Sequence, residues 1–338
     1  MPPPKPLTGE TALIAALSEI FGPAPGAVAV GIGDDCAALD VAGPDYLLWT
    51  VDTLIEGVHF DLAYFSLSQL GRKALAVNLS DIAAMGGEPL YALLSLGWPQ
   101  DRDPAGALAL GEGLAQIARE YGVAVIGGDT VASPSGVMVT LSLLGRVPQD
   151  EMRQRRGASV GDQIYVTGPL GEAAAGLEVL KRRLPLEPDL KEALCRAHLD
   201  PQPQLRTGRV LAEQKLATAL IDLSDGVATD LGHICRASGV GARIPAAAAP
   251  VSPQVLAAAP FLGADPLDLA LKGGEDYQLL FTSPKAHGDA LLRAFKTAKL
   301  PPPLPLGEIV PGSGVLLAGP EGEKEITGLG FDHFRLDL

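Results

Sequence analysis

Aspartates recur where apolar runs stop. Asp34 and Asp35 follow VAVGIG, Asp52 follows YLLWTV, Asp129 follows VAVIGG, and Asp222 and Asp225 flank Leu223-Ser224 after ATALI. In open α/β sheets ligands collect beyond the carboxyl ends of strands, so aspartates at several such ends can converge on one place. Taken singly, a Gly-Asp after a strand is a turn or a helix N-cap. Asp81 does not fit that reading. It lies within ALAVNLSDIAAMGG, between Leu79 and Ile82 of an apolar helical run, where a carboxylate needs a partner. Converging carboxylates raise one another's pKa unless cations neutralise them. Oxygen ligands without Cys or His favour Mg²⁺, Ca²⁺ or Mn²⁺ over Zn²⁺. The set predicts a polynuclear site for a hard divalent cation.

Other nucleotide and hydrolase signatures are missing. The chain has no GxxxxGK[ST], HRD, DFG or HExxH, and GIGDDC places Cys36 where the third glycine of GxGxxG belongs. Gly157-Ala158-Ser159-Val160-Gly161 spells GxSxG, but a nucleophile elbow needs a strand before it and a helix after it. Here arginines precede the motif and a strand-like run follows.

The elements that would carry these residues can be read from periodicity. Leu13, Leu17, Ile20 and Phe21 place a helix at 9–21, and VAVGIGDD (28–35) and YLLWTVDT (46–53) are apolar runs ending in Gly/Asp turns. Helical patterns at 68–85 and 104–121 alternate with strands at 91–98, 123–130 and 137–147. PQDEMRQRRGASVGD (148–162) is charged, turn-rich and aperiodic, and marks the expected boundary between domains 1–148 and 149–338. Beyond it, DQIYVTG reads as a strand, GEAAAGLEVLKRRL as a helix, ATALIDLSDG as a strand and turn, and VATDLGHICRASG as a helix. LALKGGEDYQLLFTS gives a turn and a buried strand, and KLPPPLPLGEIV is too proline-rich for a helix and reads as an extended connection.

The 338 residues suit two domains, each long enough to bury its own core. Aromatics are only 5%, so that core must be built from Ala, Val, Leu and Ile. The net charge of −14 disfavours a nucleic-acid backbone binder but admits small phosphorylated ligands if cations lie between the two sets of negative charge. Cys36, Cys195 and Cys235 are odd in number and widely spaced, which suits a reducing compartment. With no run of 18 apolar residues and no signal-peptide order in MPPPKPLTGE, a cytoplasmic protein without a membrane partner is expected.

GIGDDCA (31–37), TVDTLIEGVHF (50–60), KALAVNLSDIAAMGG (73–87), IGGDT (126–130), IDLSDG (221–226), GGEDYQLLF (273–281) and GFDHF (330–334) occur in order along nearly the whole chain. Through these motifs the sequence resembles the thiamine-monophosphate kinase family, part of a superfamily with aminoimidazole ribonucleotide synthetase and selenophosphate synthetase. The resemblance implies a mixed α/β, two-domain fold of the aminoimidazole ribonucleotide synthetase-like type and a homodimer formed mainly through the N-terminal domains. It implies transfer of the ATP γ-phosphoryl group to thiamine monophosphate, with several Mg²⁺ ions as cofactor and ATP as co-substrate. Asp35, Thr50, Val51, Asp52, Asp81, Asp129, Asp222 and Asp225 match its metal positions. Val51 departs from the usual hydroxyl residue and could offer only a backbone carbonyl. Gly128, Asp129, Arg155 and Ser224 match ATP contacts, and His59, Glu275 and Phe331 match thiamine contacts.

The chemistry is consistent with that assignment. A phosphate acceptor is already anionic, so no acid or base residue is assigned; the obstacle is repulsion between acceptor and ATP, which positioning and metal charge relieve. Thiamine carries a cationic thiazolium that Glu275 could neutralise or hydrogen-bond and to which Phe331 could offer a ring face. Without the resemblance, Glu275-Asp276 reads as an exposed turn and Phe331 as a core plug, while His59 could equally be a core histidine and Lys73 and the RQRR run could equally be solvated charges. His198, His233, His287 and His333 carry no expectation, and Cys36 reads as packing rather than a reactive thiol. Another ATP-dependent enzyme of the superfamily, a metal-dependent phosphohydrolase and a non-catalytic nucleotide-binding module remain alternatives.

Overall fold

The computed structural model describes residues 9–22 and 24–334. The first half contains α1 (Glu10–Phe21), β1 (Val28–Val30), β2 (Ala37–Asp40), β3 (Asp45–Ile55), α2 (Leu67–Ala84), β4 (Glu88–Pro99), α3 (Ala105–Glu120), β5 (Ala124–Ser133) and β6 (Met138–Pro148). Its strands form one sheet in the order β1-β2-β3-β6-β4-β5. β3 and β6 pair antiparallel along their full length, and α3 returns the chain so that β5 runs parallel to β4 at the sheet edge.

A capping box opens α2, with the Ser66 side chain accepting from the Gln69 backbone and Gln69 reaching back. α2 is buried on nearly every side, Leu75, Leu79 and Ile82 meeting Leu48, Leu141 and Leu143 of the sheet. It approaches α3 closely enough that a Cβ on Gly113 would lie 1.9 Å from the Ser68 carbonyl oxygen. On the opposite face of the sheet Trp49, Val51, Tyr91 and Leu93 are all exposed, and none of the described residues covers it.

The second half contains β7 (Gln163–Val166), α4 (Glu172–Arg182), α5 (Pro188–Leu199), α6 (Leu205–Glu213), β8 (Ala219–Asp222), α7 (Val227–Ser238), β9 (Gly241–Pro245), α8 (Pro253–Leu262), α9 (Pro266–Lys272), β10 (Leu279–Ser283), α10 (Gly288–Thr297), β11 (Leu304–Val310), β12 (Gly314–Gly319) and β13 (Gly322–Glu325). Its sheet has the order β13-β12-β9-β11-β7-β10-β8.

Three sequence expectations change. KLPPPLPLGEIV is not a mere connection: β11 lies inside the sheet between β9 and β7, and a register shift between Pro305 and Gly307 accommodates the proline that cannot donate to the ladder. VAVGIGDD is a strand only to Val30, leaving Gly31–Asp35 as the irregular segment that delivers the aspartates. The core of the first half is also not self-contained. It continues through Leu199, Leu205 and Leu211 to Leu220 and Phe281 of the second. α2 makes this bridge, for a Cβ on Gly208 of α6 would lie 2.1 Å from the Ala83 carbonyl oxygen.

Candidate active site

Three aspartates from distant parts of the chain meet where α2 crosses between the halves. Asp35 follows β1, Asp81 sits on α2 and Asp222 ends β8; each offers a carboxylate oxygen within 4.8 Å of the others. Alternation along β3 turns Thr50 and Asp52 toward α2 and leaves Val51 exposed on the outer face. Thr50 Oγ1 donates to Asp81 Oδ2, the Asp52 carboxylate lies close enough to Asp81 for the two to couple, and Ser80 Oγ donates to Asp222 Oδ2 at 2.6 Å. The Val51 side chain therefore cannot act as a ligand in this cluster, as its apolar character already implied.

The arrangement is electrostatically costly without a counter-ion. Burial, then the charge of Asp35, pushes Asp222 up to about 8; burial pushes Asp52 up to about 6; burial, then Asp52 and Asp222, pushes Asp81 well above the carboxylate range. Asp35 Oδ2 is buried with no hydrogen-bond partner. An orphaned carboxylate oxygen facing two further carboxylates is what an oxygen-seeking divalent cation would satisfy, and the donor set fits Mg²⁺. The same field, after burial itself, raises the Cys36 thiol, so that residue is inert packing as expected.

Arg155 is not a solvated charge. Its Nη2 donates to Asp35 Oδ1 at 2.8 Å and its backbone N–H to the Asp34 carboxylate at 3.2 Å, so the irregular 149–162 segment brings a guanidinium to the cluster edge. Burial and then Asp35 push Asp34 up to about 7. Asp225 belongs to a neighbouring group with Asp230 and His233, whose ligand atoms also lie within 4.8 Å of one another. Gly128 and Asp129 lie on the exposed strand β5, Asp129 bonding only its neighbour Thr130 N–H among the described hydrogen bonds. Asp129 is in neither carboxylate group.

Two motifs grip the turn at Ser224–Gly226. On one side Glu275 N–H donates to Ser224 O at 2.8 Å and Tyr277 N–H to Leu223 O at 2.9 Å; on the other Phe331 N–H donates to Asp225 O at 3.0 Å. The fit requires glycine, since a Cβ would lie 2.5 Å from Ser224 O at Gly274 and 2.2 Å from Asp225 O at Gly330. Glu275 (φ 67°) and Tyr277 (φ 46°) both adopt the left-handed region, an unfavourable conformation that the surrounding bonds sustain. Between them Asp276 caps α4, accepting from Gly171 N–H at 2.7 Å and Ala173 N–H at 3.2 Å.

Glu275 is no exposed turn: Lys73 Nζ lies 2.8 Å from Oε1 and His198 Nδ1 2.9 Å from Oε2. Lys73 is wholly buried rather than solvated. Burial raises the Glu275 carboxyl, but Lys73 and His198 outweigh it and hold the group at about 2. Phe331 is half exposed and so no core plug; its ring meets His333 edge-on at 4.7 Å, and His333 Nε2 lies 3.4 Å from His59 Nε2. His59 Nδ1 accepts from Ile55 N–H at 3.0 Å. Burial, then His333, lowers the His59 pKa, and the charges of Glu275 and Lys73 also reach it, so these motifs share one neighbourhood. Sequence reasoning missed His333, two residues beyond Phe331, and His198, which carries no local signal. Lys73 was visible only as a lone charge opening an apolar run.

Residues 33–147 match the AIR synthase related protein N-terminal domain, and residues 159–318 match the corresponding C-terminal domain. Over 285 residues the sequence is 42% identical to the thiamine-monophosphate kinase of Escherichia coli (strain K12), spanning 84% of this chain and 85% of that one. The chain belongs to the thiamine-monophosphate kinases. The enzyme of that name from Aquifex aeolicus (strain VF5) is 34% identical over 90% of this chain and 92% of its own. Among solved structures, AaThiL complexed with AMPPCP and TMP superposes with a TM-score of 0.84 at 32% identity, covering 96% of this chain and 97% of that one. The thiamine-monophosphate kinase of Stenotrophomonas maltophilia K279a gives 0.74 at 36% identity, covering 86% and 91%. The two-sheet fold is thus that of the thiamine-monophosphate kinases, as the motifs implied.

Proposed function

We propose that this chain transfers the γ-phosphoryl group of ATP to thiamine monophosphate, giving thiamine diphosphate and ADP. The observation that carries the reading is the Asp35–Asp81–Asp222 cluster, with its orphaned oxygen and Arg155 at its edge, joined through the Ser224–Gly226 turn to the Glu275 and Phe331 motifs. Related enzymes bear the kinase name, and a structural relative is described in complex with AMPPCP and TMP.

Asp35, Asp52, Asp81, Asp222 and Asp225 would hold Mg²⁺, with Thr50 fixing Asp81 and Val51 offering at most its carbonyl. Bound there, Mg²⁺ supplies the positive charge that lets two phosphate groups approach. Arg155 would bind phosphate oxygens of ATP, and Ser224 would sit against the nucleotide on a turn that both thiamine motifs fix. Glu275, His59 and Phe331 would receive the thiamine rings. The acceptor oxygen is anionic, so positioning replaces general-base catalysis.

The partly apolar, uncovered outer face of the first sheet supports a homodimer through the N-terminal domains. Gly128 and Asp129 lie on the exposed strand of that sheet, where they would serve a site completed across the dimer. We place the domains at 1–148 and 149–338, and the protein in the cytoplasm. Among the described residues no helix is long and apolar enough to cross a membrane.

The purified protein, incubated with ATP, Mg²⁺ and thiamine monophosphate, should yield thiamine diphosphate and ADP in equal amounts by chromatography. Free phosphate without thiamine diphosphate would replace this reading with a phosphohydrolase. Bound ATP without turnover would leave a binding module.

A further inference from the structure

Lys73 and His198 come from different halves of the chain and converge on one carboxylate. Lys73 is on α2 and His198 on the last turn of α5, with side chains 0% and 2% exposed. Each takes one oxygen of Glu275, at 2.8 and 2.9 Å. Lys73 Nζ also donates to the His198 carbonyl at 3.2 Å and lies 5.3 Å from the centre of the Phe65 ring, which meets the His198 ring edge-on at 5.5 Å. Neither head group can swing away. Burying an ammonium costs several kcal/mol, and apolar replacements of such pairs are often neutral or stabilising, so stability alone is a weak reason for the arrangement.

Glu275 is the member of the trio that reaches solvent, with 24% of its side chain exposed. Its backbone is tied to Ser224 in an unfavourable conformation. Lys73 already supplies its counter-charge. What Glu275 can offer a ligand is therefore a fixed hydrogen-bond acceptor rather than a free negative charge. Beyond Lys73 and His198, which lie against it, its charge is felt by His59, Tyr64 and Tyr277.

We propose that Lys73 and His198 are positioning residues that aim the Glu275 carboxylate at an N–H-bearing edge of the thiamine heterocycle. The proposal rests on the assignment of Glu275 as a substrate contact.

The test is steady-state kinetics on the full chain with ATP and thiamine monophosphate varied separately. K73M should raise KM for thiamine monophosphate by roughly tenfold, the worth of one hydrogen bond to a charged group, and leave KM for ATP unchanged. K73R should restore most of the loss. In an E275Q background K73M should add no further loss, because Lys73 acts through Glu275. Equal increases in both KM values, or a full additional loss in the E275Q background, would overturn the proposal. Should K73M fail to fold, H198F keeps the ring packing, removes only the ring nitrogen that lies 2.9 Å from Glu275 Oε2, and must show the same split between the two substrates. If the unmodified protein makes no thiamine diphosphate, the reading of the site falls first, whatever the variants do.

Discussion

Asp81→Asn should make the metal-free protein more stable while abolishing its activity. Asp81 is held by Thr50 Oγ1, and burial together with Asp52 and Asp222 lifts its folded pKa far above the ordinary value. The metal-free fold therefore resists an ionisation at Asp81 that the unfolded chain, titrating near ~3.9, undergoes freely. Each unit by which the folded pKa exceeds the unfolded one costs ~1.4 kcal/mol once the pH has passed both. Asparagine is neutral at every pH and can still accept from Thr50, so D81N avoids that cost. The sign follows from linkage: a raised folded pKa means the carboxylate's penalty is absent below the unfolded pKa and grows as pH rises. In urea unfolding with EDTA, D81N should be clearly more stable than the unmodified protein near pH 7.5 and little different from it near pH 4. Adding Mg²⁺ should stabilise the unmodified protein far more than the variant, and thiamine diphosphate formation should disappear in the variant. A D81N protein less stable than its parent in EDTA at neutral pH would refute the argument that these carboxylates are frustrated without a cation.

Arg155→Met strips Asp35 of its partner and should cost ~3–5 kcal/mol in EDTA, a loss that shrinks when Mg²⁺ is added; urea titrations under both conditions decide it, and KM for ATP should rise. Gly113→Ala forces a methyl group into the 1.9 Å approach to Ser68 O, so α2 and α3 must separate at a cost of ~1–3 kcal/mol in urea unfolding. Leu93→Glu places a charge on the exposed apolar sheet face; sedimentation should show a dimer for the unmodified chain and a monomer for the variant. A monomeric unmodified chain would remove the dimer proposal.

The sequence alone determined the family and which residue types were available for its chemistry. Aspartates after apolar runs, and above all Asp81 inside an apolar helix, pointed to a carboxylate cluster in need of compensation, because a carboxylate in that setting needs a partner. The ordered motifs carried the family, and the main strands and helices of the first half followed from periodicity, since a half-buried strand or helix must alternate its faces. Only the tertiary structure decided which aspartates meet. Asp35, Asp81 and Asp222 converge because α2 is packed between the two sheets, whereas Asp129, which also follows an apolar run, lies within the exposed strand β5. The fate of single charges was also beyond local reading. Lys73 and Arg155 looked like solvated side chains, yet each is paired with a carboxylate more than a hundred residues away. Such partners leave no mark in the neighbouring sequence, because burial and ion pairing are set by the distant surfaces that folding brings together.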